Sequence, residues 1–85
     1  MTVRKRWDDL MSPERRRFAT RLKARRKELG LTQIAIYERT GIAISYISNL
    51  EKGKVNPSLD IMVSLARALD VDLTHFFEET PKTGE

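Results

Sequence analysis

Apolar positions fall in short rows at helical spacing, separated by helix-stop residues, and they predict five helices and no strand. Ser12-Pro13-Glu14 opens the first: a hydroxyl to cap free amides, proline at the first helical position, and a carboxylate beside the positive end of the dipole. Phe18, Leu22 and Leu29 share one side of this helix, Arg and Lys fill the other, and Gly30 supplies the left-handed residue that ends it. Thr32 can cap a second, short helix from about Gln33 to Thr40, which stops at Gly41. After a tight turn, a third helix is expected from about Ala43 to Glu51, and Gly53-Lys54-Val55-Asn56-Pro57 reads as a loop because Pro57 cannot sit inside a helix. Ser58 caps a fourth helix, with Leu59, Met62, Ala66 and Leu69 in one apolar row and Ile61, Leu65 and Ala68 in another. Asp60, Ser64 and Arg67 are left outside, so this helix is expected to be buried on most sides. Leu73-Thr74-His75-Phe76-Phe77 is expected to form the short fifth helix.

The flanks lack this order. Residues 1–11 are basic before they are acidic and read as an arm, flexible or docked through Trp7, Leu10 and Met11, while residues 79–85 form a polar tail expected to fray. Residues 12–78 are the expected domain, an all-α compact five-helix bundle with a helix-turn-helix motif at about 33–52. With a tail this short, no ligand-sensing domain is expected after the bundle.

Composition narrows the function classes. With 85 residues, 40% hydrophobic and 33% charged, one small core is the expectation. No stretch approaches the roughly 18 apolar residues of a membrane span, and no secretory signal stands out, so the chain is expected to be cytoplasmic and away from membranes. The absence of cysteine excludes a disulfide scaffold, a thiolate zinc finger and a cysteine nucleophile. The lone His75 has no clustered acidic ligands in sequence, so neither a metal nor another cofactor is expected. Nowhere does a nucleophile stand with a base and an orienting partner, and an enzyme is not expected.

The net charge of +4 is unevenly spread: residues 1–30 carry 11 Lys/Arg against 4 Asp/Glu, and residues 31–85 carry 5 against 8. A concentrated basic surface suits a polyanion, because each phosphate neutralised releases condensed counterions. A solvated basic helix is the alternative.

The second and third helices give that charge a sharper context. A helix-turn-helix needs a short first helix across the phosphate backbone and a tight turn that sets its second helix into the major groove. At about 100° per residue, Ala43, Tyr46, Ile47 and Leu50 fall on one side of the third helix. Ile44, Ser45, Ser48, Asn49 and Lys52 fall on the other, a short and mostly polar surface able to press against base edges.

Several motifs in order carry a family resemblance: Leu29-Gly30-Leu31-Thr32-Gln33, Glu38-Arg39-Thr40-Gly41-Ile42, Ser45 through Gly53, and Asn56-Pro57-Ser58-Leu59. Together, across roughly residues 18–77, they resemble the Cro and phage-repressor type of helix-turn-helix, the xenobiotic-response-element family, with its lambda-repressor-like fold. The resemblance implies a five-helix bundle that binds double-stranded operator DNA as a symmetric homodimer with the third helix in the major groove. Carried over by position, it implies that Gln33 meets a phosphate and braces a reading-helix side chain. Ile44, Ser45 and Asn49 take base-reading positions with Ser48 beside them, and Ala43, which opens the helix, joins the DNA-contacting set. Lys52 and Lys54, with the amides after the reading helix, fall where the family clasps phosphates, and Arg26 and Glu51 match an internal ion pair.

Two residues depart from the family pattern. Tyr37 stands where a small residue is usual, so it must turn aside or widen the helix crossing. Ile44 stands where a polar reader is common; it can pack on a thymine methyl but cannot make the bidentate bonds that discriminate guanine, which leaves Asn49 as the candidate reader of adenine.

Other function classes stay open on sequence. The fold could serve as a protein-binding module such as an antitoxin or anti-repressor, with Ile34 forming an apolar patch alongside Trp7 or Leu10, or covered by the arm. The basic first helix could coat nucleic acid without sequence preference, and Arg4, Lys5 and Arg6 could enter a minor groove. Val71, Leu73, Phe76 and Phe77 are the candidates for a dimer surface, some of them also needed to close the core.

Overall fold

A computed structural model of the chain describes residues 12–78. The expected arm, with Trp7, Leu10 and Met11, and the expected polar tail lie outside the described residues.

Among the described residues four α-helices form in order: α1 (Pro13–Glu28), α2 (Gln33–Thr40), α3 (Ile44–Glu51) and α4 (Leu59–Ala68). Three of them start on the expected hydroxyls. Ser12 Oγ accepts from Arg15 N at 3.0 Å, Thr32 Oγ1 from Ala35 N at 3.1 Å, and Ser58 Oγ from Ile61 N at 3.1 Å. Ala43 precedes α3 and has no side-chain oxygen to offer, so that helix starts without a side-chain cap.

The fifth helix is a 3-10 turn, Leu73–Phe77, rather than an α-helix. Five residues are too few to offset the cost of nucleating an α-helix, and the tighter i→i+3 pattern, with His75 N bonded to Asp72 O at 2.9 Å, is the usual form of so short a piece. Its Phe76 enters the core and meets the Phe18 ring edge-on at 4.9 Å between centroids, while Phe77 stacks on Phe18 at 6.0 Å.

The core joins all of these elements. Phe18 and Leu22 of α1, Ile36 of α2, Ile47 and Leu50 of α3, and Leu65 and Leu69 at α4 are buried together with Phe76. Ile42, in the turn between α2 and α3, closes one end. Two expected core positions are instead exposed: Leu29 at the end of α1, and Leu59, 60% exposed at the start of α4. Both keep the apolar period, but each lies past the point where a neighbouring element covers its helix. Along α4, Leu65 and Ala66 are buried, Ile61 and Met62 pack against the core, and the exposed positions are Leu59, Asp60 and Arg67.

Arginines on α1 and α2 hold the C-terminal part. Arg17 donates to Phe77 O at 3.4 Å, Arg21 to His75 O at 2.7 Å and Arg25 to Leu69 O at 3.0 Å. Arg39 of α2 donates to Ala68 O at 2.8 Å. Part of the basic helix is thereby turned inward to backbone carbonyls, where cations at a helix C-terminus are favoured.

Candidate nucleic-acid interface

The turn between α2 and α3 sets the angle of the site. Gly41 sits at φ +78°, a left-handed conformation costly for residues with a Cβ, and its amide bonds to Tyr37 O at 2.7 Å. Thr40 Oγ1 donates to Ile36 O at 2.8 Å and accepts from Ile42 N at 3.0 Å, tying both sides of the turn with one hydroxyl.

On this base α3 shows two sides. Ile47 and Leu50 are buried and Tyr46 is half-buried, which fastens the helix from beneath. Ile44 and Ser45 are exposed, and Ser48 and Asn49 are half-buried along the outward side. Ala43 is exposed at the head of α3, not packed with Tyr46, Ile47 and Leu50, because it is the capping residue just before the helical turn begins. Lys52 and Lys54 are exposed beyond the other end.

That end is held by a three-residue network. Arg26 Nε donates to Glu51 Oε2 at 2.6 Å and Nη2 to Oε1 at 3.0 Å, a bidentate pair, while Nη1 donates to Leu31 O at 2.8 Å. Gln33 Nε2 donates to Glu51 Oε1 at 3.1 Å. The bracing role expected of Gln33 therefore acts on Glu51. The Glu51 side chain is only 3% exposed, and its hydrogen bond raises the Arg26 pKa above the ordinary guanidinium value, so Arg26 stays charged. With all its nitrogens engaged, Arg26 belongs to the scaffold rather than to the charged surface.

The amides following α3 are turned inward: Lys52 N bonds to Ser48 O at 3.2 Å, Gly53 N to Leu50 O at 3.0 Å and Lys54 N to Asn49 O at 2.9 Å. These bonds close the helix end as a Schellman motif and engage the amides of Lys52, Gly53 and Lys54 within the chain, while the Lys52 and Lys54 side chains stay exposed.

Tyr37 and Ile34 both face solvent, 46% and 56% exposed, so Tyr37 is turned aside. The inward-directed arginines Arg17, Arg21, Arg25 and Arg39 were not anticipated; the four-residue spacing of the first three, which puts them on one row of α1, was the available signal. Among the described residues no cluster of His, Asp or Glu suits a metal ion, and no helix is long and apolar enough to cross a membrane.

Comparison with known proteins agrees with this geometry. Residues 22–76 match the model of a helix-turn-helix family, HTH_3. Over 50 residues the chain is 48% identical to an HTH-type transcriptional regulator of Methanothermobacter thermautotrophicus, covering 59% of this chain and 72% of that one. It is 37% identical over 54 residues to the immunity repressor protein of Bacillus phage phi105, a match covering 64% of this chain and 38% of the repressor, so the chain spans well under half of that relative. Among solved structures, the restriction-modification controller protein C.AhdI from Aeromonas hydrophila superposes with a TM-score of 0.73 at 32% identity, covering 78% of this chain and 100% of that one.

Proposed function

The chain belongs to this helix-turn-helix family, and from that premise we propose that it is a transcriptional regulator, a homodimer reading a two-fold-symmetric operator in double-stranded DNA with α3 in the major groove. The observation that carries the reading is the division of α3. Ile47 and Leu50 are buried beneath it, Arg26 and Gln33 hold its last residue, and Ile44, Ser45, Ser48 and Asn49 lie along the outward side. Base readout needs side chains whose supporting backbone does not move, and this arrangement supplies that.

The roles divide by chemistry. Asn49 carries an amide that can pair with adenine, and Ile44 an apolar surface for a thymine methyl. Ser45 and Ser48 are short donors for base edges, and exposed Ala43 lets the duplex approach closely. Gln33, Lys52 and Lys54 take phosphates, the lysines through charge and Gln33 through the one amide hydrogen left beside its bond to Glu51. A module this small covers limited DNA, so a second copy is the economical source of affinity. Val71, Leu73 and Phe77, half-buried at the C-terminal side, are the surface we assign to it; Phe76 is committed to the core. The similarity to a phage immunity repressor and to a restriction-modification controller supports regulation as the purpose.

Selection of duplexes from a random pool, followed by the mass of the complex, tests this. The expected result is an inverted repeat with half-sites about 10 bp apart and two chains per duplex. A single asymmetric site occupied by one chain contradicts it. One observation favours a second reading: the exposed Ile34 offers an apolar contact to a protein partner, as in an antitoxin or anti-repressor. A stable partner that occludes α3 and prevents DNA binding would support that reading.

A further inference from the structure

Tyr37 is a large aromatic residue left 46% exposed on α2, and among the described residues its hydroxyl has no hydrogen-bond partner. It lies one helical turn after Gln33, so the two share a face of α2. That face adjoins α3, because Gln33 Nε2 bonds to Glu51 at the end of α3. The outward residues Ser45 and Ser48 of α3 are short, so a duplex seated on α3 comes close to its backbone and brings flanking phosphates down on the neighbouring edge of α2.

We propose that Tyr37 is a further DNA-contacting residue, its hydroxyl donating to a phosphodiester oxygen next to the contact made by Gln33. The proposal rests on the reading of α3 as the DNA reader. Tyrosine hydroxyls are among the groups that bond phosphate oxygens, and such contacts set the register of the protein without reading sequence. A neutral donor also displaces no counterion, so this contact differs from those of Lys52 and Lys54 in its response to salt.

The test uses the duplex recovered by the wild-type chain from a random pool, a shuffled duplex of equal length, and a salt series. Tyr37→Phe keeps the ring and removes only the donor. The expected result is about fivefold weaker binding to both duplexes, with the salt slope and the thermal unfolding midpoint of the wild type. Wild-type affinity of Tyr37→Phe for both duplexes overturns the inference and leaves the reading of α3 standing. A loss confined to the recovered duplex also overturns it, because Tyr37 would then be reading bases. So does a lowered unfolding midpoint, which would make the hydroxyl a structural group. A wild-type chain that retains no duplex in the selection overturns the reading of α3 and the inference together.

Discussion

At the scale of single residues, Glu51 shows how a buried charge is made tolerable and what removing its partner would do. Its carboxylate is almost fully covered and receives hydrogen bonds from Arg26 and Gln33. Arg26→Ala leaves that carboxylate desolvated and is expected to lower stability by about 3 kcal/mol, seen as a lower denaturant midpoint at unchanged m-value. Because the Arg26 pKa is raised in the folded state, its contribution is fully present below the ordinary guanidinium value and is lost only as pH rises through the higher folded one. The outward residues separate by a different readout. Asn49→Ala is expected to abolish preference at one base position per half-site, a discrimination of about 1–3 kcal/mol. Lys52→Ala is expected to weaken all sequences alike and to reduce the salt slope by about one. Competition titrations with single-base variants of the recovered duplex distinguish the two.

At the scale of elements, three helices end in the same way. After α1, α3 and α4, the left-handed positions are Gly30, Gly53 and Asp70, with φ of +72°, +73° and +57°. In each case the next residue's amide reaches back: Leu31 N to Arg26 O, Lys54 N to Asn49 O and Val71 N to Ala66 O. Asp70 is the costly member, since a Cβ is disfavoured there, and Asp70→Gly is expected to raise stability by about 0.5–1 kcal/mol in denaturant unfolding. These ends also mark how far the fold was legible in the sequence. Ser12, Thr32, Ser58, Gly30 and Gly41 act locally, through hydroxyls and backbone conformation, and their positions alone located the starts and stops. The exposure of Leu29 and Leu59 was not legible, because helical period assigns a side but not where the covering neighbour ends. Nor were the carbonyls that take Arg17, Arg21 and Arg25, since a backbone oxygen carries no sequence identity. In the candidate site, the inner and outer residues of α3 followed from its winding, whereas the inward-facing amides after it depended on the Schellman end at Gly53.

At the scale of the whole molecule, the charge asymmetry takes on a different meaning. Arg17, Arg21 and Arg25 tie α1 to the C-terminal segment, and Arg26 ties it to α3, so much of the basic excess of the first helix holds the fold together. Arg21→Ala is expected to loosen the 3-10 turn and cost about 1.5 kcal/mol, with faster amide exchange at Phe76 and Phe77. Arg16, Lys23 and Lys27 stay exposed on α1, while Lys52 and Lys54 are the exposed cations beside α3, whose few outward polar groups are the ones proposed to distinguish one sequence from another. The direct measurement of that claim is a titration of the wild-type chain, at one fixed ionic strength, against the recovered duplex and against a shuffled duplex of the same length. The expected result is a preference of at least about 10³-fold for the recovered duplex. Equal affinities, both falling steeply with added salt, would contradict it and leave only a basic domain that binds nucleic acid without reading it.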